Sequence, residues 1–130
     1  MMENYINERM FAFEDLLVWQ KSIDFAEAVI KEIDRFDAPR KHFRIIEQLE
    51  AAAISVSSNI AEGKGRFSKK EFIHYLYISR GSLFETISLL ILICRLKWIG
   101  NETLSELKSL GEEIAKMINS LIKSVKSGKN

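Results

Sequence analysis

From Ser68 to Trp98 the chain runs without a proline, and Gly81 is its only glycine there. Along it Phe72, Leu76, Ser79, Leu83, Leu90 and Cys94 recur at helical spacing. Ser68 with Glu71 three residues on has the form of a capping box, and Phe67 and Phe72 flank it as a hydrophobic staple. Gly100 closes the segment. A helix over 68–98 is about 45 Å long at ~1.5 Å per residue.

Three further segments carry the same period. Leu16, Trp19, Ile23, Ala26, Ile30 and Ile33 predict a first helix over about 15–35, ended by Asp37-Ala38-Pro39. Ile45, Leu49, Ala52, Val56 and Ile60 predict a second over about 42–62, closed by Gly63 and Gly65. Leu104, Leu107, Ile114, Ile118, Leu121 and Val125 predict a fourth over about 102–126, with Asn101 or Thr103 as its cap. The connections are short, so neighbouring helices are antiparallel. The expected fold is all-α, a single-domain up-down-up-down four-helix bundle over 1–130. One proline and six glycines in 130 residues argue against a turn-rich β protein.

Ile87, Leu89, Leu90, Ile91, Leu92 and Ile93 are apolar all round the third helix. Two arrangements cover such a surface: a subunit interface, or a central position crossed by the three other helices.

Catalytic chemistry finds little support, and the chain is read as a non-enzyme. Cys94 is the single cysteine, so no intrachain disulfide forms, and its place on the apolar stripe suggests an inert buried thiol. Glu71 and His74 have the Glu-x-x-His spacing of carboxylate-bridged di-metal bundles, but no second such pair exists. Zinc-protease, phosphate-loop and nucleophile-elbow signatures are missing too, so no metal and no cofactor are expected. Ser55, Ser57 and Ser58, with Gly81 and Ser82, read better as small residues that let helices approach.

Met1 to Arg9 contains Glu3 and Glu8 and lacks the apolar core of a signal peptide. The mostly apolar run from Thr86 to Cys94 lies between Glu85 and Arg95, short of the ~20 residues of a spanning helix. The expectation is a cytoplasmic protein with no membrane contact.

The net charge is only +1, yet it is unevenly spread. Residues 1–37 hold four basic and nine acidic groups, and residues 38–80 hold eight basic and four acidic. In the expected bundle the second connection lies beside the start of the first helix and the end of the fourth. That end gathers Lys64, Arg66, Lys69, Lys70, Lys123, Lys126 and Lys129 against Glu14, Asp15, Glu62 and Glu71. The other end is balanced, its Arg35, Arg40, Lys41, Arg44, Arg95 and Lys97 facing six carboxylates.

The basic corner also goes against local electrostatics. Lys69 and Lys70 stand in a helical first turn, where anions are favoured, and Glu62 stands at a helix end, where cations are favoured. A helix N-terminus with added lysines suits an anion, and Glu62 is expected to hold the loop by pairing with Arg66 or Arg80. The candidate phosphate-binding residues are therefore Lys64, Arg66, Lys69 and Lys70, the alternative being a solvated basic loop. The staple accounts for Phe67 without a base-stacking role.

Several strings resemble one family. Phe13-Glu14-Asp15-Leu16-Leu17-Val18-Trp19 is similar to its opening motif. Gln48-Leu49, Ala52-Ala53-Ile54-Ser55 and Asn59-Ile60-Ala61-Glu62-Gly63 are similar to its central signature. Gly65-Arg66-Phe67-Ser68-Lys69-Lys70-Glu71-Phe72 and Gly81-Ser82-Leu83-Phe84-Glu85 complete the likeness, which covers most of 13–98. The family is the bacterial four-helix-bundle group first noted in intervening sequences of 23S ribosomal RNA genes and sometimes labelled ribosomal. The resemblance implies a cytoplasmic bundle assembled as a homopentamer. It is related to the accessory variability determinant of diversity-generating retroelements, a basic pentamer that binds nucleic acid and a reverse transcriptase. Partners implied are thus copies of the chain itself, RNA or DNA, and a reverse transcriptase or other protein. This chain's charge of +1 sets it apart from that basic relative. The expected function is a non-enzymatic oligomeric nucleic-acid-binding accessory protein, the alternative an oligomeric protein-interaction scaffold.

Overall fold

The computed structural model describes residues 11–39 and 42–128. Arg40, Lys41, Lys129 and the segment Met1 to Arg9, all used above, lie outside the described residues. A 3-10 turn, Ala12–Asp15, leads into α1 (Leu17–Ile33), followed by α2 (Phe43–Lys64), α3 (Lys69–Arg95) and α4 (Asn101–Lys126). Each helix packs on its neighbours in the chain, and α1 also packs on α4, which closes the ring. The all-α four-helix bundle is as expected.

The core is a column of side chains from all four helices. Leu49, Val56 and Ile60 of α2 meet Leu76, Leu83 and Leu90 of α3, with Ile114 and Ile118 of α4 opposite. The second and fourth helices bury essentially the residues that their periodicity marks. The first does not. Val18, Ser22, Phe25, Ala26 and Val29 face inward on α1, while Ile23 is 41% exposed and Ile30 only partly covered. This helix carries two apolar stripes of equal period, and the one holding Phe25 takes the interior. Phe25 is the largest side chain on that helix to be fully buried, and Ser22 beside it satisfies its hydroxyl on the Val18 carbonyl at 2.7 Å.

The ends of α3 and α4 differ from expectation. Lys97, not Gly100, closes α3. It adopts a left-handed φ of 67°, so that the Trp98 N–H donates to the Ile93 carbonyl at 3.1 Å and the Lys97 N–H to the Cys94 carbonyl at 2.9 Å. Trp98 then turns inward against Phe36 and His42 and plugs that end of the bundle. Gly100 becomes the N-cap of α4, and neither Asn101 nor Thr103 caps it. Asn101 instead accepts a bond from the Cys94 thiol at 3.3 Å. Cys94 is half-exposed, because Ile93 takes the core position assigned to it from the spacing.

The third helix is not central. It touches α2 and α4 but lies diagonally across from α1. Its outer face is largely apolar, with Phe84 56% exposed and Ile78, Ile91 and Leu92 also exposed, while the Tyr77 ring is flanked by Arg80 and by Lys126 of α4. A groove of about 370 Å³ runs between α3 and α4, lined by Phe84, Ile87, Ile91 and Ala115. By length and composition alone α3 passes the test for a membrane-crossing helix, contrary to the reading confined to Thr86–Cys94, and a third of the qualifying window is buried in the bundle.

A non-glycine residue in the left-handed region costs about 1–2 kcal/mol. Lys97→Gly is therefore expected to stabilise the fold by about 1 kcal/mol. Urea unfolding should show a higher midpoint with an unchanged slope.

Candidate nucleic-acid interface

The corner between α2 and α3 begins where two helices come very close. A Cβ built on Gly63 would lie 2.6 Å from the Cβ of Tyr75 and 3.1 Å from the Phe72 ring. Only hydrogen fits there. Further along, the Ser79 hydroxyl donates to the Val56 carbonyl at 2.7 Å and the Ser55 and Ser82 hydroxyls meet at 2.8 Å. Small residues do let these helices approach, but Gly81 is not one of them, since nothing lies within 4 Å of its would-be Cβ.

Residues 65–68 connect the two helices on the outside of this contact. Ser68 caps α3, its Oγ accepting the Glu71 N–H at 3.1 Å. The return half of the box is different: the Glu71 carboxylate accepts from the Ser68 hydroxyl at 3.1 Å rather than from backbone. The staple does not form. Phe72 is buried against Gly63, and the Lys64 ammonium covers its ring at 5.6 Å from the centroid. Phe67 is left fully in solvent, at 107% relative exposure.

The four candidate cations are gathered here in differing surroundings. Helix α2 extends to Lys64, so this lysine occupies the last turn, where the helix dipole favours it. Glu62 thereby loses its place at the very end of the helix, and it pairs with Arg66 at 3.6 Å. The Arg66 guanidinium also donates to the Tyr75 hydroxyl at 2.7 Å and lies 4.9 Å from that ring's centroid. Arg80 takes no part, being bonded to Asn119 at 2.8 Å. Lys69 and Lys70 remain in the first turn of α3. The Lys69 ammonium reaches across to Gly128 just beyond α4, 3.2 Å from where a Cβ would stand, which confirms that this end gathers the close of α4. Among the described residues no carboxylate forms an ion pair with Lys64, Lys69 or Lys70.

The 3-10 turn completes the surface. With Phe11 and Phe13 stacked at 5.8 Å, it forms one wall of a cleft of about 440 Å³ whose other wall is Glu62, Lys64, Gly65 and Arg66. No sequence feature points to Phe11, and the aromatic character of this end emerges only when the turn packs on α2. Of the Glu71–His74 pair, the carboxylate is engaged by Ser68 and the imidazole stands edge-on to Tyr75 at 5.7 Å. Among the described residues no three His, Cys, Asp or Glu groups are placed to hold a metal.

A profile described as 23S rRNA-intervening sequence protein matches residues 14–120. The chain belongs to that family. A crystal structure of a protein with unknown function from the S23 ribosomal protein family of Bacteroides thetaiotaomicron VPI-5482 superposes with a TM-score of 0.76. It is 28% identical, and the match covers 82% of this chain and 99% of that one. No match is found among curated proteins. In this member of the 23S rRNA-intervening sequence family Lys64, Arg66, Lys69 and Lys70 lie inside the matched span, whereas Phe11, Phe13 and the lysines at the close of α4 lie outside it.

The Gly63 contact carries a test. Gly→Ala within a helix gains about 1 kcal/mol in propensity, but forcing a methyl between two packed backbones costs typically about 1–3 kcal/mol. Gly63→Ala should therefore lower the urea midpoint. Gly65→Ala, whose Cβ would meet nothing closer than 3.5 Å, should leave it unchanged or raised.

Proposed function

We propose that this protein is a non-enzymatic nucleic-acid-binding accessory protein that works as a homo-oligomer and grips phosphates through Lys64, Arg66, Lys69 and Lys70. The observation that carries this reading is the set of three lysines at one corner, none paired with a carboxylate among the described residues. Two of them stand in a helical first turn, where their own backbone dipole opposes them. A bound phosphate relieves that repulsion and is itself favoured by the helix N-terminus.

The uncovered face of α3 supports assembly. Phe84, Ile91 and Leu92 in water are unfavourable in a lone bundle, and a second copy removes them from it. A homopentamer, as the family resemblance implies, repeats the basic corner once per subunit, and linked weak sites bind a long polyanion far better than one does. A cytoplasmic location and a reverse transcriptase partner belong to the same proposal and rest on the resemblance alone. The same apolar face is what an oligomeric protein-binding scaffold would show, and that reading predicts assembly without nucleic-acid binding.

Titrating labelled RNA and DNA at increasing salt separates the two. Neutralising four phosphates gives a slope of log K against log salt near −3.6 for duplex DNA and about −2.8 for single strands, multiplied by the number of subunits engaged at once. Reversing all four cations to Glu should abolish binding while the helical circular dichroism stays unchanged. A flat salt dependence, or no binding at low salt, leaves the scaffold. In light scattering at micromolar concentration the expected particle is a multiple of the chain mass, and one of 15.0 kDa defeats the oligomer.

A further inference from the structure

We infer that the corner takes unpaired nucleic acid, with the Phe67 ring stacking on an exposed base while the neighbouring cations hold the phosphates on either side. This inference rests on the phosphate-contact reading above and adds to it the structural class of the strand. Phe67 is the most exposed large apolar side chain among the described residues, at 107%. Among the described residues it has no packing partner, and Lys64 already covers the Phe72 ring that a staple would use. It is flanked in sequence by Arg66 and by Ser68-Lys69-Lys70, so its ring stands open to solvent in a stretch rich in cations.

An aromatic ring standing free amid lysines and arginine matches the chemistry of single-strand binding, where cations follow the backbone and rings stack on bases whatever their identity. In a duplex the bases are already stacked and paired, so the same ring meets only sugar and phosphate. Arg66 links this ring to the cleft beside it, which is walled by Phe11, Phe13 and Lys64. The next nucleotide along the strand then meets two stacked rings and the Lys64 ammonium, the Glu62 carboxylate of the same wall being held by Arg66.

The test uses fluorescence anisotropy with the full chain and three labelled probes of equal phosphate number: a single strand, a duplex of half its length, and the same single strand with abasic sites. The wild type should bind the base-bearing strand most tightly. Phe67→Ala should weaken that complex about tenfold, with no change on the abasic strand and no change in the salt slope. Phe67→Trp should restore the affinity. Equal binding of Phe67→Ala and wild type to the base-bearing strand overturns the inference, as does an equal loss on the abasic strand. In either case a salt slope that survives leaves the phosphate reading standing, whereas failure of wild type to bind any probe removes both. Light scattering of Phe67→Ala supplies the remaining check: a particle smaller than wild type would assign the ring to a subunit contact and overturn the inference.

Discussion

The approach of α2 to α3 at Gly63 is the constraint on which the rest of this molecule depends. With Gly63 against the Cβ of Tyr75, and with the Ser79 hydroxyl bound to the Val56 carbonyl in the buried interface, the two helices leave no interior space at their junction. The connection must pass outside. The short stretch between Lys64 and Lys69 therefore stands on the surface, and its side chains reach solvent rather than the core. Tight packing in one place creates an exposed, charged corner in another.

The electrostatics of that corner are less contrary than the linear order of charges suggests. Lys64 gains from the end of α2 and from the Phe72 ring, Arg66 from Glu62 and Tyr75, and Lys69 from the neighbourhood of the α4 terminus. Exposed ion pairs are worth about 0–1 kcal/mol, and a misplaced charge in a first turn costs about 0.3–1 kcal/mol. These terms are of similar size, so the bundle tolerates the corner without gaining from it. Lys70 gains least, since no described residue bonds or pairs with it. A site whose net cost is small and whose charges stay accessible is poised for an anion; the same charges buried in strong mutual pairs would not be.

Much of this was readable in the residues, and the misses have physical causes. Leu49, Val56, Ile60, Ile114 and Ile118 form the core that their spacing marks, because each of those helices has one dominant apolar stripe. Helix α1 has two, and periodicity alone does not choose between Phe25 and Ile23; the choice is made by what α2 and α4 present to it. Phe67 illustrates a different limit. The local pattern Phe-Ser-x-x-Glu-Phe describes a staple, but Phe72 is already engaged by a lysine from the preceding helix, and local patterns carry no information on such competition. The closure of α3 at Lys97 was hidden for a related reason, since the pull of Trp98 into the bundle end outweighs the backbone penalty at a non-glycine residue. Of the corner, the four cations were legible and the aromatic wall at Phe11 and Phe13 was not.

Helix α3 shows why composition alone is ambiguous about its own purpose. It is long and apolar enough to cross a bilayer, yet its buried stripe is shared out among the other helices of a bundle. Its mid-length charges do not stand idle: Arg80 donates to Asn119 of α4, and Glu85 accepts from Gln48 of α2 at 3.1 Å. Those bonds tie the polar positions of α3 to the two helices it packs against, and Lys126 of α4 donates to the Tyr77 hydroxyl at 3.1 Å, so that of the outer stripe of Tyr77, Phe84 and Ile91 the last two are what its own bundle does not use. Seven-residue spacing aligns these three side chains along one line of the helix. A lone bundle gains nothing from such a line, and removing it from water is the same hydrophobic gain that holds the interior together. The proposed assembly thus draws on the helix that supplies the core.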